Sequence, residues 1–212
     1  MIWSWERVGD VLPLLGEGFL ITLLATVLGT LIAVVLGLVV AMLRRLLPRW
    51  ASWPVTAAAE FIRMTPLVVQ LVFVYLLLPQ VSQLVIGIAV LGVHYTTYMA
   101  EVYRAGIDSV PPGQWEAAKA LSLPAARTWR SVVLPIALRN TLPSLGNYAI
   151  SMFKETPFLF AITVGEMVYQ AWSYGGRTFA YTEAFTLAGL IFLAASYPTS
   201  LLVRKLETKL AY

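Results

Sequence analysis

The chain has 212 residues, 59% of them hydrophobic and 12% charged, with a formal net charge of +4 and a mean hydropathy of +0.76. Soluble globular domains carry about twice that charged fraction. With no cysteine and one histidine, the sequence offers no disulfide framework, no thiolate metal site and no cysteine nucleophile. Long apolar runs define an all-α, polytopic membrane protein, and a β-barrel does not fit because barrel strands alternate apolar with polar residues.

The opening stretch, MIWSWERVGDVLPLLGEG, has no basic leader and no small-residue cleavage site, so it is not read as a cleaved signal peptide. Trp3 and Trp5 suit an interfacial anchor. Five spans are predicted, at about 18–43, 61–79, 84–106, 138–158 and 183–203, the fourth with a semi-apolar continuation to about 172. In the first, Ala25, Gly29, Ala33, Gly37 and Ala41 recur every four residues. That leaves one helix face nearly free of side chains, so another helix can approach closely. No internal repeat is evident, which gives the inverted-repeat architecture of many secondary transporters no support.

Basic residues set the orientation. Arg44, Arg45 and Arg49 follow the first span, while Arg104, Lys119, Arg127, Arg130 and Arg139 lie between the third and fourth. Arg204, Lys205 and Lys209 follow the fifth, and the opposite side has Arg7 and Arg177, with Lys154 near that end of the fourth span. The positive-inside rule puts the N-terminus outside and the C-terminus in the cytoplasm.

Polar side chains inside the membrane should face protein or a water-filled path. The fourth span carries Asn140, Ser144, Asn147, Ser151 and Lys154 at alternating steps of four and three, on one helical face, opposite Leu145, Ile150, Met152 and Phe153. The third carries His94, Thr97, Tyr98 and Glu101, and the second Thr65 and Gln70. The residues taken as candidates for a translocation path are Thr65, Gln70, Tyr98, Ser144, Asn147, Ser151, Lys154 and Glu155. Interhelical hydrogen bonding remains the alternative for the isolated hydroxyls. Lys154 and Glu155 point about 100° apart, so each needs another partner. Pro143, Pro157 and Pro198 can break or kink their helices. His94, without a second histidine or cysteine, reads as a hydrogen-bonded packing residue rather than a metal ligand.

Between the third and fourth spans lies a charged, proline-bounded loop, 108–135. Asp108 or Ser109 can cap there, and Pro111-Pro112 break the preceding helix. GQWEAAKAL then forms a short helix with Glu116 and Lys119 placed to pair and with Trp115 and Leu121 as large apolar anchors. A second short helix starts at Leu123-Pro124 and Pro135 stops it. Such an alanine-rich face with a few anchors suits docking into a groove on another protein better than lying on lipid.

EAAKALSLPAARTWRSVVLP resembles the EAA loop of bacterial ABC importer membrane subunits, with Glu116, Ala117, Ala118, Leu134 and Pro135 matching, Val132 in place of isoleucine, and Ser122 where that family usually has glycine. A serine in the left-handed turn that glycine makes there costs about 1 kcal/mol. FIRMTPLVVQLVFVYLLLP, YMAEVYRAGIDSVPPGQWEAA and SMFKETPFLFAITVGEM are similar to stretches of the polar amino-acid permeases of the histidine, glutamine and arginine class, and the chain also resembles their ectoine/hydroxyectoine branch. Where that class often has Lys-Asp-Thr-Ser, this chain has Lys154-Glu155-Thr156-Pro157.

The resemblance implies a single permease domain over 1–212 with a five-helix, type I ABC importer (MetI-like) fold in the bacterial inner membrane. It implies a coupling helix in which Gly113, Trp115, Glu116, Ala117, Ala118, Leu121, Ser122, Leu134 and Pro135 meet the ATPase. The implied partners are two ATP-binding cassette subunits, a second permease subunit (the same or a sister chain), an extracytoplasmic solute-binding protein and membrane lipid, but no nucleic acid. No cofactor is expected on this chain, and ATP-Mg belongs to the ATPase. The sequence itself contains no G-x-x-x-x-G-K-[ST] phosphate loop, so this chain is not expected to be the enzyme. An ion-driven secondary transporter using Glu101, Lys154 or Glu155 is the alternative.

Overall fold

The computed structural model describes residues 3–210, and all regular structure among them is helical. The helices are α1 (Trp5–Leu46), α2 (Arg49–Met64), α3 (Leu67–Leu77), α4 (Gln83–Asp108), α5 (Pro112–Ala120), α6 (Ala125–Thr128), α7 (Leu134–Glu155), α8 (Met167–Thr178) and α9 (Tyr181–Leu210). A π-helical segment, Trp129–Val133, joins α6 to α7, and a 3-10 segment, Thr156–Ile162, follows α7.

The small-residue face of α1 forms the seam of the fold. Gly18, Thr22, Ala25, Gly29, Ala33, Gly37 and Ala41 are all buried, whereas Leu20, Val27, Leu31 and Val35 on the other side are exposed. Helix α4 lies in this seam. A methyl group at Gly37 would stand 2.9 Å from Met99 Cβ, one at Gly92 of α4 would stand 2.6 Å from Ile32 Cγ2, and one at Gly29 would meet Met152 Sδ of α7 at 2.8 Å. In lipid there is no hydrophobic gain in joining two helices, so close van der Waals contact has to hold them. Around the seam, Leu71, Leu91, Met99, Met152 and Leu159 form the largest apolar cluster.

Among the described residues three helices, α1, α4 and α9, are long and apolar enough to cross a bilayer; α2 and α3, which meet at 105°, make a fourth if taken as one broken crossing. The expected second span, 61–79, therefore straddles a break. Pro66 pushes Thr65 into an extended conformation (φ −95°, ψ 142°), which ends α2. Helix α7 is not among the long apolar helices, because Asn140, Ser144, Asn147 and Ser151 dilute its apolar residues. The first span proves longer than expected: α1 runs for 42 residues and buries Val11 and Leu15 against α8 and α9. Pro143 and Pro198 lie inside α7 and α9 without ending them, whereas Pro157 stands at the start of the 3-10 segment.

One end of the bundle gathers the C-terminal ends of α1 and α4 and the N-terminal half of α7, through Arg45 to Asp108 (2.9 Å) and Asn140 to Ser109 (3.0 Å). At the other end the Ser4 N–H donates to Glu183 Oε1 (3.1 Å) and the Tyr174 hydroxyl to the Arg7 carbonyl (3.3 Å).

Substituting Gly37 with valine should lower the thermal stability of the detergent-solubilised protein by about 1–3 kcal/mol, the usual cost of overpacking. A thermal melt of Gly37→Val indistinguishable from wild type would contradict the seam.

Candidate coupling hairpin and polar cluster

The loop folds as a helical hairpin. Helix α5 ends in a left-handed turn: the Leu123 N–H donates to the Ala118 carbonyl (3.0 Å), the Ser122 N–H donates to Lys119 (2.9 Å), and Ser122 has φ +49°. This is the Schellman arrangement, in which the left-handed residue is usually glycine. Serine here keeps glycine's backbone and bears its strain.

The hairpin has an inner and an outer face. Trp115 stacks edge-on against Trp129 at 5.5 Å, Ala118 is 3% exposed, and both tryptophans pack against a cluster of Ile107, Val110, Val133 and Ala137. Trp115 and Ala118 thus face the bundle, so Trp115, read with Leu121 as a large apolar anchor for a partner, and Ala118, counted among the residues that meet the ATPase, turn inward. Gly113, Glu116, Ala117, Leu121 and Ser122 are exposed, Leu121 at 72%. The expected Glu116–Lys119 ion pair does not form.

Two further expectations fail here for local reasons. Neither Asp108 nor Ser109 caps α5. Asp108 accepts from Arg45 and Arg104, and the Ser109 hydroxyl donates to the Gly106 carbonyl at 2.7 Å. Pro135 does not stop the chain either. The preceding π segment, with Leu134 N–H bonded to the Trp129 carbonyl, lets the helix pass through a residue that lacks an N–H. Leu134 and Pro135 therefore open α7, linking the hairpin directly to a membrane helix.

A second polar group lies where α3, α4 and α7 meet. Gln70 Nε2 donates to Thr65 Oγ1 (2.6 Å) and to the Ile62 carbonyl (2.7 Å), which α2 leaves free at its broken end. Gln70 Oε1 pairs with His94 Nδ1 at 3.1 Å. The rings of His94 and Tyr98 (5.4 Å), Tyr98 and Tyr148 (5.5 Å), and Tyr95 and Tyr148 (6.2 Å) continue the group. Glu155 is an electrostatic neighbour of His94, Tyr95 and Tyr98. Thr65, Gln70, Tyr98 and Glu155 are thus brought together, and His94 packs by hydrogen bonding as expected. Tyr148 was missed. Its separation of seven from Glu155, which puts both on one line of α7, was the available signal.

Ser144, Asn147, Ser151 and Lys154 do not join that cluster. They lie beside it on the face of α7 turned away from the core, where Ser144, Asn147 and Lys154 are exposed and Ser151 half-buried, without side-chain partners among the described residues. Leu145, Ile150, Met152 and Phe153 are buried on the opposite side. Thr97 donates to the His94 carbonyl and is buried. Glu101 is held between Arg44 and Arg104.

Glu166, on the short connection before α8 and outside the spanning helices, is fully buried and caps α8 by accepting from Val168 N–H (2.8 Å) and Tyr169 N–H (2.7 Å). Burial pushes its carboxyl up to about 7, against the two N–H donors, which act in the opposite direction.

Residues 33–212 match the family described as binding-protein-dependent transport system inner membrane component. The chain is 43% identical to a probable amino-acid ABC transporter permease, y4tG, of Sinorhizobium fredii, covering 95% of this chain and 89% of that one. It is 31% identical to the glutamine transport system permease GlnP of Escherichia coli, covering 99% of each, and 31% to the arginine transport system permease ArtQ of Bacillus subtilis, covering 94% and 93%. A crystal structure of an amino acid ABC transporter with histidines superposes with a TM-score of 0.92 at 31% identity, over 99% of this chain and 100% of that one. The MetNI methionine ABC transporter in an inward-facing conformation shares the fold at a TM-score of 0.82 and 20% identity, over 96% and 99%. The chain belongs to the family of binding-protein-dependent transport system inner membrane components. It is a permease subunit, a transport component rather than an enzyme, and it has the type I importer fold.

Ser122→Gly should relieve the strained turn by about 1 kcal/mol and slow amide exchange at Ser122 and Leu123 several-fold; faster exchange would show that the turn is not left-handed. For Glu166 the sign follows from its raised value. The native state keeps a proton that the unfolded chain has released, so this residue's stabilisation is lost as pH rises from 4.5 to about 7. Thermal melts of wild type and Glu166→Gln across that window should diverge, the variant having the flatter profile; equal slopes would assign the pH dependence elsewhere.

Proposed function

We propose that the chain forms half of the membrane passage of an ATP-driven, binding-protein-dependent importer for a polar amino acid or a related zwitterion such as ectoine. Its passage is the polar cluster of Thr65, Gln70, Tyr98 and Glu155, extended by Ser144, Asn147, Ser151 and Lys154 on the open face of α7 toward a second permease subunit, the same or a sister chain. A carboxylate and an ammonium one residue apart, pointing in different directions, give a zwitterion complementary charges to follow. An extracytoplasmic binding protein delivers the solute. ATP-Mg binds two partner ATPase subunits, which draw together and move the docked hairpin. The hairpin moves α7, and the passage opens alternately to each side. The N-terminus lies outside, and the hairpin and the C-terminus lie in the cytoplasm.

The observation that carries this reading is a hairpin fixed to the bundle on one face and bare on the other. Trp115, Trp129 and Ala118 secure it, while Glu116 and Leu121 stand exposed on the other face. An ordinary surface loop needs no such anchoring. Amino-acid permeases at 31–43% identity along nearly the whole chain support the substrate class. Ion coupling through Glu101 is poorly served by a carboxylate already held by two arginines.

Glu116→Lys should abolish transport, a loss of at least about tenfold if one charged contact of ~1.5 kcal/mol or more is removed, while membrane insertion stays normal. Uptake should require ATP and a binding protein. Full transport by Glu116→Lys, or uptake that persists without ATP and collapses with an uncoupler, would overturn the reading.

A further inference from the structure

We propose that an anionic phospholipid headgroup binds in the pocket of about 330 Å3 between the basic ends of α1, α2 and α4, held by Arg44, Arg45 and Arg104 with the Thr56 hydroxyl beside them. Charge balance is the first argument. Glu101 serves both Arg44 and Arg104, and Asp108 serves both Arg45 and Arg104. Three guanidinium groups thus share two carboxylates, which leaves one positive charge without a counter-charge in this network. A guanidinium presents five N–H donors in a fork that matches phosphate oxygens, and these ion pairs use one such donor each on Arg44 and Arg45 and two on Arg104. A phosphodiester supplies one negative charge and the acceptors that these forks lack.

The surroundings select a lipid over a free anion. The outward face of α2 carries Trp50, Trp53, Phe61 and Met64, exposed at 81, 71, 70 and 78%, while Thr56, Ala59 and Arg63 turn inward. On the adjoining turns of α1, Leu43 and Leu46 are exposed at 39 and 63%. The polar pocket therefore has an apolar rim suited to acyl chains, with tryptophans where the membrane–water interface favours them. Basic pockets between membrane helices at such a boundary recognise anionic headgroups.

The test is native mass spectrometry of the purified transporter complex, stripped of lipid and then supplied with phosphatidylglycerol or phosphatidylcholine. Phosphatidylglycerol should be retained preferentially. Arg45→Gln should weaken that retention about fivefold, the effect of one basic residue near an anionic headgroup. Asp108→Asn, which removes a competing carboxylate from the same pocket, should strengthen it. Arg177→Gln, in α8 at the opposite end of the fold, should leave it unchanged. A purely structural ion-pair network predicts that Arg45→Gln and Asp108→Asn loosen the helices alike with no headgroup preference. That result, or a preference unaltered by Arg45→Gln, overturns the proposal. Displacement of phosphatidylglycerol by millimolar inorganic phosphate alone would identify a free-anion site and overturn the lipid assignment.

Discussion

Everything in this molecule depends on how closely α4 can approach α1. Seven small residues on one face of α1 leave a groove with few side chains; α8 closes on it at Gly18 and Thr22, and α4 on the rest, so closely that methyl groups at Gly29 and Gly37 would stand 3.6 Å from Leu91 Cβ and 2.9 Å from Met99 Cβ. Lipid provides no hydrophobic drive for that contact, so the fit itself must hold the pair. Once α1 and α4 are joined, the charged ends lock. Arg44 and Arg45 reach Glu101 and Asp108, and the end of α4 becomes the platform from which the hairpin starts. Close approach also recurs between α4 and α7, where Gly106 accepts Thr141 and the Ala137 carbonyl against its bare Cα.

From that platform, one continuous helical path leads from the hairpin to the polar cluster. Trp115 and Trp129 fix α5 to the π segment, the π segment carries the chain past Pro135, and α7 then delivers Tyr148 and Glu155 to His94 and Tyr98. The hairpin and the cluster are thus attached to the same rod. A push on one end has few soft joints in which to dissipate; the π segment is the irregular one. Under the proposed function, this is the mechanical link between ATP hydrolysis on a partner and movement of solute here.

Much of this was legible in the sequence because it rests on spacing. The four-residue repeat of Ala25, Gly29, Ala33, Gly37 and Ala41 announced the seam, and the alternating four-and-three steps of Ser144, Asn147 and Ser151 announced a polar face opposite Leu145 and Met152. Ser122 could be placed in a left-handed turn because a glycine is usual there in the family it resembles. What spacing could not show was the direction a side chain takes in three dimensions. Trp115 looked like an anchor for a partner but turns inward to Trp129. Pro135 looked like a stop, yet one π turn accommodates it. Thr65-Pro66 broke a run that hydropathy alone reads as one span. Tyr148 went unmarked because an aromatic residue on an apolar helix is an ordinary core residue until it meets His94 and Tyr98.

In the proposed function the exposed face of α5 docks onto an ATP-binding partner. The chain has no cysteine, so Leu121→Cys introduces a single thiol at the tip of the hairpin. A short thiol-directed photo-crosslinker attached there, in native membranes, should capture a subunit carrying a phosphate loop. The same reagent on Phe179→Cys, an exposed site at the opposite end of the fold, should not. Capture of that subunit from position 121 alone is the expected outcome. If the fully labelled protein gave no such adduct from position 121 in membranes active for transport, the hairpin would not be the coupling element.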